Sequence, residues 1–228
     1  MRINKYISET GICSRREADQ WINAGRITIN GTIATLGSKV ADGDRVSIDG
    51  NPIGVKKTRI YIALNKPVGI TCTSEPHIKD NIVEFVGHPE RIFPIGRLDK
   101  ESEGLILLTN DGDIVNEILR VENAHEKEYL VTVDRPINDA FLNRMASGVR
   151  VLGVLTKPCV VKRVNPYCFS IVLTQGLNRQ IRRMCTVFDY RVRRLQRIRI
   201  MHIQLGTLKK GQWRNLNREE LNGLGIRA

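Results

Sequence analysis

The sequence predicts an α+β protein: a small module of helices and short strands, then a larger domain with a mixed, mainly antiparallel sheet flanked by helices. Three observations carry this. Residues 1–50 show two stretches of helical spacing followed by short alternating stretches. From residue 60 onward, strand-like and helix-like patterns interchange without the regular rhythm of a parallel α/β fold. Hydrophobic residues make up 41% and charged residues 26% of the 228, the balance of a folded chain long enough to bury a sizeable core.

The elements follow in order. Ile3, Tyr6 and Ile7 have helical spacing, and Gly11 can end that helix in the left-handed conformation. Ser14-Arg15-Arg16-Glu17 is a capping box opening a second helix, whose buried stripe is Ala18, Trp21 and Ile22 and whose stop is Gly25. Arg26–Ile29 alternates as a strand into the tight turn Asn30-Gly31 and on to Thr32-Ile33-Ala34. Asp42-Gly43-Asp44 turns into Arg45–Ile48. Residues 51–59, with Pro52, Gly54 and the basic Lys56-Lys57, read as a linker between domains at 1–50 and 60–228. Strands are predicted over 60–65, 104–109, 128–133, 159–164, 167–174 and 191–205, and helices over 112–120, 137–147, 178–188 and 217–223. Asn178 and Asn217 are the candidate N-caps, and Gly148 fits a helix end.

Charge is the most informative quantity. The net charge is +12, and residues 161–228 hold 15 basic and 3 acidic residues, so the whole excess lies in the last third. Arginines crowd 179–199 against the single acid Asp189. A one-sign cluster of this kind repels itself unless a polyanion is present, which points to nucleic acid as the partner. No apolar run approaches the ~20 residues of a membrane span, and the start of the chain is charged, so a cytoplasmic protein without membrane association is expected. Cys13, Cys72, Cys159, Cys168 and Cys185 are scattered without a C-x-x-C pair, and no histidine has a spaced partner; neither a disulfide framework nor a metal site is expected.

Two stretches carry more specific information. Residues 2–49, with Ser14-Arg15-Arg16 at a helix start, resemble the S4 RNA-binding domain; amide groups at a helix start beside two arginines suit a phosphate. Residues 96–112, Gly-Arg-Leu-Asp-Lys-Glu-Ser-Glu-Gly-Leu-Ile-Leu-Leu-Thr-Asn-Asp-Gly, closely resemble the GRLDxxSxGLLLLTNDG signature of the RsuA-type pseudouridine synthases. Glu126–Val131 is similar to that family's tyrosine-bearing strand and Gly176–Met184 to its arginine-bearing helix. Asn65–Ile70 and Arg197–Met201 look closest to the RluF-type branch acting on large-subunit ribosomal RNA.

The resemblance implies roles. Asp99 is the essential carboxylate, acting as a nucleophile at C1′ or as a base on the C2′ proton. Arg182 pairs with Asp99 or contacts phosphate from the helix surface. Tyr129 stacks on the extruded uracil; on the pattern alone it is a strand core residue. Leu195 closes the uracil pocket. Arg97 fills the gap left by the flipped nucleotide or contacts phosphate. Arg179, Arg183, Arg193 and Arg197 supply attraction to RNA, Lys66 approaches RNA or is solvated, and Ser14, Arg15 and Arg16 hold a phosphate. The implied reaction is an isomerisation with no cofactor and no metal, performed by a monomer on a 23S ribosomal RNA stem-loop. Two rivals remain: the same reaction on a tRNA anticodon stem-loop, and a non-catalytic S4-type RNA-binding or ribosome-assembly protein.

Overall fold

A computed structural model describes residues 1–54, 58–119 and 125–226; Lys56 and Lys57 of the expected linker and Arg120 of the helix expected over 112–120 lie outside them. The described chain forms two compact units. One comprises Met1–Ile60 with His88–Ile92 and Asn110–Gly112, and the other holds the rest.

In the first unit α1 (Ile3–Glu9) and α2 (Arg15–Asn23) pack on a sheet of β1 (Ile27–Ile29), β2 (Thr32–Ile33), β3 (Val46–Ile48) and β4 (Asn51–Ile53), ordered β2-β1-β3-β4 and antiparallel throughout. Ile3, Ile7, Ala18, Ile22, Ile27 and Val46 form its core. The capping box exists as read: Ser14 Oγ accepts from the Glu17 amide (3.1 Å), and Glu17 Oε2 accepts from the Ser14 amide (2.7 Å). Asn30 and Gly31 both have positive φ, the backbone a two-residue hairpin turn of this kind requires. Residues 51–53, expected in the linker, form β4 instead. Here Pro52 sits on an edge strand, where its missing N–H costs no ladder bond.

The second unit runs β5 (Tyr61–Lys66), α3 (Ile82–Val86), β6 (Phe93–Ile95), β7 (Glu103–Thr109), α4 (Gly112–Leu119), β8 (Lys127–Val133), α5 (Asp139–Ala146), β9 (Arg150–Val151), β10 (Val154–Leu155), β11 (Val160–Asn165), β12 (Cys168–Leu173), α6 (Gln180–Val187), β13 (Val192–Ile200), β14 (Ile203–Gln204), β15 (Trp213–Asn215) and α7 (Arg218–Gly223). Among the described residues its main sheet is ordered β11-β12-β8-β13-β7-β5-β15, with β6 beside β7 and β14 beside β13. Every pairing is antiparallel except β7 with β13. The fold is therefore the mixed, mainly antiparallel α+β architecture predicted.

Two cores flank this parallel junction. One joins Val131, Phe169, Ile171 and Leu195 of the sheet to Phe141, Met145, Ile181 and Met184 of α5 and α6. The other gathers Ala63, Leu105, Leu107, Ile200 and Ile203. Strands β5 and β7 are buried at every position, which is why Leu105–Leu108 reads as an unbroken apolar run and not an alternation.

Two readings need correction. The strand expected over 191–205 is two strands, because the chain reverses at Met201 with a left-handed φ of 52°. The helix expected from Asn178 begins at Gln180; Arg179 occupies the N-cap position in the left-handed conformation, and no side chain caps it. Elements α3, β6, β9, β10 and β15 are too short to show a period.

Gly104 shows why β7 and β13 can meet. Its φ is +103°, and a Cβ there would lie 2.2 Å from the Arg197 carbonyl oxygen. Gly104→Ala combines an unfavourable backbone conformation with a clash against main chain, and should lower stability by about 3 kcal/mol. A urea midpoint within error of the parent protein would show that the two strands do not need this close approach.

Candidate active site

The loop between β6 and β7 is tied down along its length. Leu98 is buried and its amide donates to Cys72 Sγ (3.3 Å), the Lys100 carbonyl accepts from the Gly69 amide (2.8 Å), and the Ser102 amide donates to the Asp99 carbonyl (3.0 Å). Asp99 is thereby held just before β7 with its side chain 30% exposed. It faces a cavity of about 510 Å³ lined also by Arg97, Tyr129, Arg179, Leu195 and Arg197.

Strand register assembles the opposite wall. Tyr129 lies across from Arg197 on the neighbouring strand, and Leu195 is two residues before Arg197, hence on the same face. The Arg197 guanidinium carbon is 6.0 Å from the centre of the Tyr129 ring. Tyr129 is half-buried, packs against the α5–α6 core and borders the cavity. Both readings of Tyr129, core residue and pocket wall, describe it. Leu195 is buried in that core as well as lining the cavity.

The arginines divide differently from expectation. Arg179 is the cation within ion-pair reach of Asp99 (Nη1 to Oδ2, 4.0 Å), and it donates from Nη2 to Glu101 Oε2 (2.9 Å). That contact with Arg179 holds the Glu101 carboxyl below the usual carboxylate range. Arg182, expected on Asp99, is committed elsewhere. Its Nη2 donates to the Glu101 carbonyl (3.1 Å) and Ser102 Oγ (3.3 Å), and its Nη1 to the Val192 carbonyl (3.4 Å). It ties the Asp99 loop to the start of β13. The reason is local: Arg179 precedes the first turn of α6 and Arg182 lies within it, so the two guanidiniums leave the helix in different directions.

Two further residues expected to touch RNA are interior. Lys66 is fully buried, with Nζ donating to the carbonyls of Pro67 (2.9 Å) and Ile70 (2.8 Å), and burial pushes its ammonium below its ordinary range. Arg197 is only 3% exposed, and its Nε donates to the Leu105 carbonyl (2.7 Å). Neither can act as a surface phosphate contact. Arg97 and Arg193 are exposed, and Arg183 is half-buried on Asn178, donating to its carbonyl (3.0 Å) and Oδ1 (3.2 Å). In the first unit Arg15 and Arg16 are exposed, while Ser14 is engaged with Glu17.

Sequence reasoning missed Lys127 and His125, which also line the cavity. Lys127 was legible: it lies two residues before Tyr129 in a strand and so shares its face. Burial, with Arg197 nearby, pushes its ammonium down. Also missed was the internal pairing of the arginine-rich strand. Arg199 bonds Glu126 and Glu128 (2.9 Å each), and Glu103 is bonded by Arg194 and by Lys210 (2.6 Å). Burial raises the Glu103 carboxyl, but these two cations outweigh it and hold it below the usual range. Among the described residues no group of three or more His, Cys, Asp or Glu is placed to hold a metal ion, and no helix is long and apolar enough to cross a membrane.

Comparison with known proteins bears on the same segments. Residues 60–186 match the RNA pseudouridylate synthase family model and residues 1–46 match the S4 domain model. The chain is 56% identical over 223 residues to the dual-specificity RNA pseudouridine synthase RluF of Escherichia coli strain K12, covering 97% of this chain and 77% of that protein. It is 30% identical to the ribosomal large subunit pseudouridine synthase B of Bacillus subtilis, covering 98% of this chain and 95% of that one. A crystal structure of a pseudouridylate synthase superposes with a TM-score of 0.72 at 28% identity, over 98% of this chain and 99% of the other. On sequence and on fold alike, the chain belongs to the RNA pseudouridylate synthase family.

Proposed function

We propose that the protein isomerises uridine to pseudouridine in large-subunit ribosomal RNA, with residues 60–228 as the catalytic domain and residues 1–50 as an RNA-positioning S4 module. The observation that carries this reading is the convergence of Asp99, Arg179, Tyr129 and Leu195 on one cavity of about 510 Å³. A non-catalytic RNA binder has no need for a carboxylate, its cation and an aromatic wall in one concave site.

The residues divide the work. The target nucleotide leaves its helix and its base stacks on Tyr129, recovering roughly 1–3 kcal/mol of lost stacking. Leu195 closes the pocket beside it. Asp99 attacks C1′ or removes the C2′ proton, and the N1–C1′ bond breaks. The base turns, C5 bonds to C1′, C5 gives up its hydrogen and N1 gains one. Composition is unchanged, so the reaction needs no redox partner. Arg179 supplies a cation beside Asp99 under a bound RNA, where an uncompensated carboxylate would be costly. Arg97 at the rim fills the vacated place in the helix, Arg193, Arg183, Arg15 and Arg16 meet phosphates, and the enzyme acts as a cytoplasmic monomer. The name dual-specificity borne by the E. coli relative favours a second RNA target; a tRNA anticodon stem-loop is the one we propose.

Asp99→Asn keeps the shape of the side chain and removes its charge. Turnover should vanish while RNA affinity stays within about tenfold, or ~1.4 kcal/mol. Tritium release from 5-tritiated uridine RNA by the pure variant, with the asparagine verified intact, would refute the assignment.

Arg182→Gln should act on the loop and not on the carboxylate directly. Losing the bonds to Glu101 and Ser102 costs about 1–3 kcal/mol of stability, read as a lower urea midpoint. An unchanged midpoint with abolished turnover would instead return Arg182 to the chemistry.

Arg193→Gln should weaken binding to target and unrelated RNA alike and flatten the slope of log affinity against log salt by roughly 0.7–0.9. A slope equal to that of the parent protein would remove Arg193 from the phosphate contacts.

A further inference from the structure

Arg197 carries a donor that the folded protein does not use. Its Nη2 is buried and has no hydrogen-bond partner, although Nε is satisfied by the Leu105 carbonyl. Buried guanidinium N–H groups are nearly always paired, because leaving one unpaired forfeits its hydration without return. The surrounding acids do not supply an acceptor: Glu103 is taken by Arg194 and Lys210, and Asp99 faces Arg179. Lys127, also on the cavity, is a donor like Arg197 itself. The close approach of β13 to Gly104 fixes the Arg197 backbone, the Leu105 carbonyl holds Nε, and the residue borders the cavity beside Tyr129 and Asp99.

We propose that Arg197 reads the uracil: Nη2 donates a hydrogen bond to a ring carbonyl of the base stacked on Tyr129 and takes up the negative charge that develops there. When the N1–C1′ bond breaks, its electron pair leaves with the base and spreads over N1, O2 and O4. A fixed cation at one of those oxygens is worth more at that moment than in the bound ground state, which is the condition for acceleration. The exposed arginines reach the RNA backbone, whereas a guanidinium this deep reaches only what is inserted into the pocket. This inference rests on the pseudouridine synthase reading above and adds a catalytic residue to it.

The test uses the full chain and a stem-loop containing the uridine found by mapping pseudouridines in ribosomal RNA with and without the enzyme. Single-turnover isomerisation is measured with uridine, 2-thiouridine or 4-thiouridine at that position, sulfur being the poorer acceptor. One of the two thio substrates should react about tenfold more slowly with the unaltered protein. Arg197→Gln should slow the uridine substrate about 30-fold at saturating RNA, the worth of a hydrogen bond to a charged group, and should erase the thio penalty. Arg197→Lys, which keeps the charge, should fall between the two and serves if the glutamine variant does not fold. Full speed on both thio substrates with the unaltered protein, or a thio penalty unchanged in the variants, would overturn the inference. Absence of pseudouridine from the unmodified RNA would overturn the parent reading and this one with it, an outcome distinct from the other two.

Discussion

The parallel contact between β7 and β13 at Gly104 and Arg197 is the constraint on which the site depends. Every other pairing of the main sheet is antiparallel, so this junction joins the β5–β7 half to the β8–β12 half. Only a residue without a side chain allows the Arg197 backbone to come as close as it does. The consequence is positional. Asp99 lies in the loop four residues before β7 begins at Glu103, and Leu195 and Arg197 lie in mid-β13, so closing the junction brings the carboxylate to the cavity that Leu195 and Arg197 also line. Register then adds Tyr129, which faces Arg197 across the next strand pair. The site is therefore built by the sheet's central seam, and the loop has only to be pinned, which Arg182, Cys72 and Gly69 accomplish.

The seam is also where the protein accepts buried charge. Lys66, Glu103 and Arg197 are each almost entirely withdrawn from solvent. Burying such groups is tolerable only when their bonds are satisfied. Lys66 meets that condition through two carbonyls and Glu103 through Arg194 and Lys210. Arg197 meets it in part. A residue used only for architecture could be replaced by an apolar one of similar size at little cost, so three charges in one seam mark a place where the fold gives up stability for an electrostatic environment. The adjacent cavity is lined by Arg97, Lys127, Arg179 and Arg197 around one acid, Asp99, a balance that suits a polyanionic substrate.

Much of this was legible in the sequence, and what was not has identifiable physical causes. The capping box at Ser14, the Asn30-Gly31 turn and the Asn217 cap with Glu220 are local, so neighbouring residues suffice to read them. The apolar run of β7 and the i, i+3, i+4 stripe of α6 are periodic and equally readable. Asp99, Tyr129 and Leu195 could be singled out by resemblance, and the structure brings them to one cavity. What failed is everything decided by partners distant in the chain. Lys66 and Arg197 look like solvated strand cations until opposing strands cover them. Arg179 and Arg182 are three residues apart, and which of them faces Asp99 depends on the left-handed turn at the start of the helix, a conformation no local propensity predicts for arginine.

The same blindness affects charge counting. Residues 179–199 read as an uncompensated cationic block because the acids that face them, Glu101, Glu103, Glu126 and Glu128, lie between 71 and 91 positions away along the chain for their bonded partners Arg179, Arg194 and Arg199. Once those pairs are drawn, the block separates into two populations. Paired arginines knit the sheet and its loops together. Arg191 and Arg193 of the block, like Arg97 outside it, are exposed to water. Arg179 belongs to the paired group and is shared between Glu101 and Asp99. Glu101 is 60% exposed, so its hold on Arg179 is screened by solvent and weak, whereas an RNA covering the cavity lowers the local dielectric and strengthens the attraction between Arg179 and the more sheltered Asp99. A substrate covering the cavity would therefore tip the balance of the shared cation from Glu101 toward Asp99.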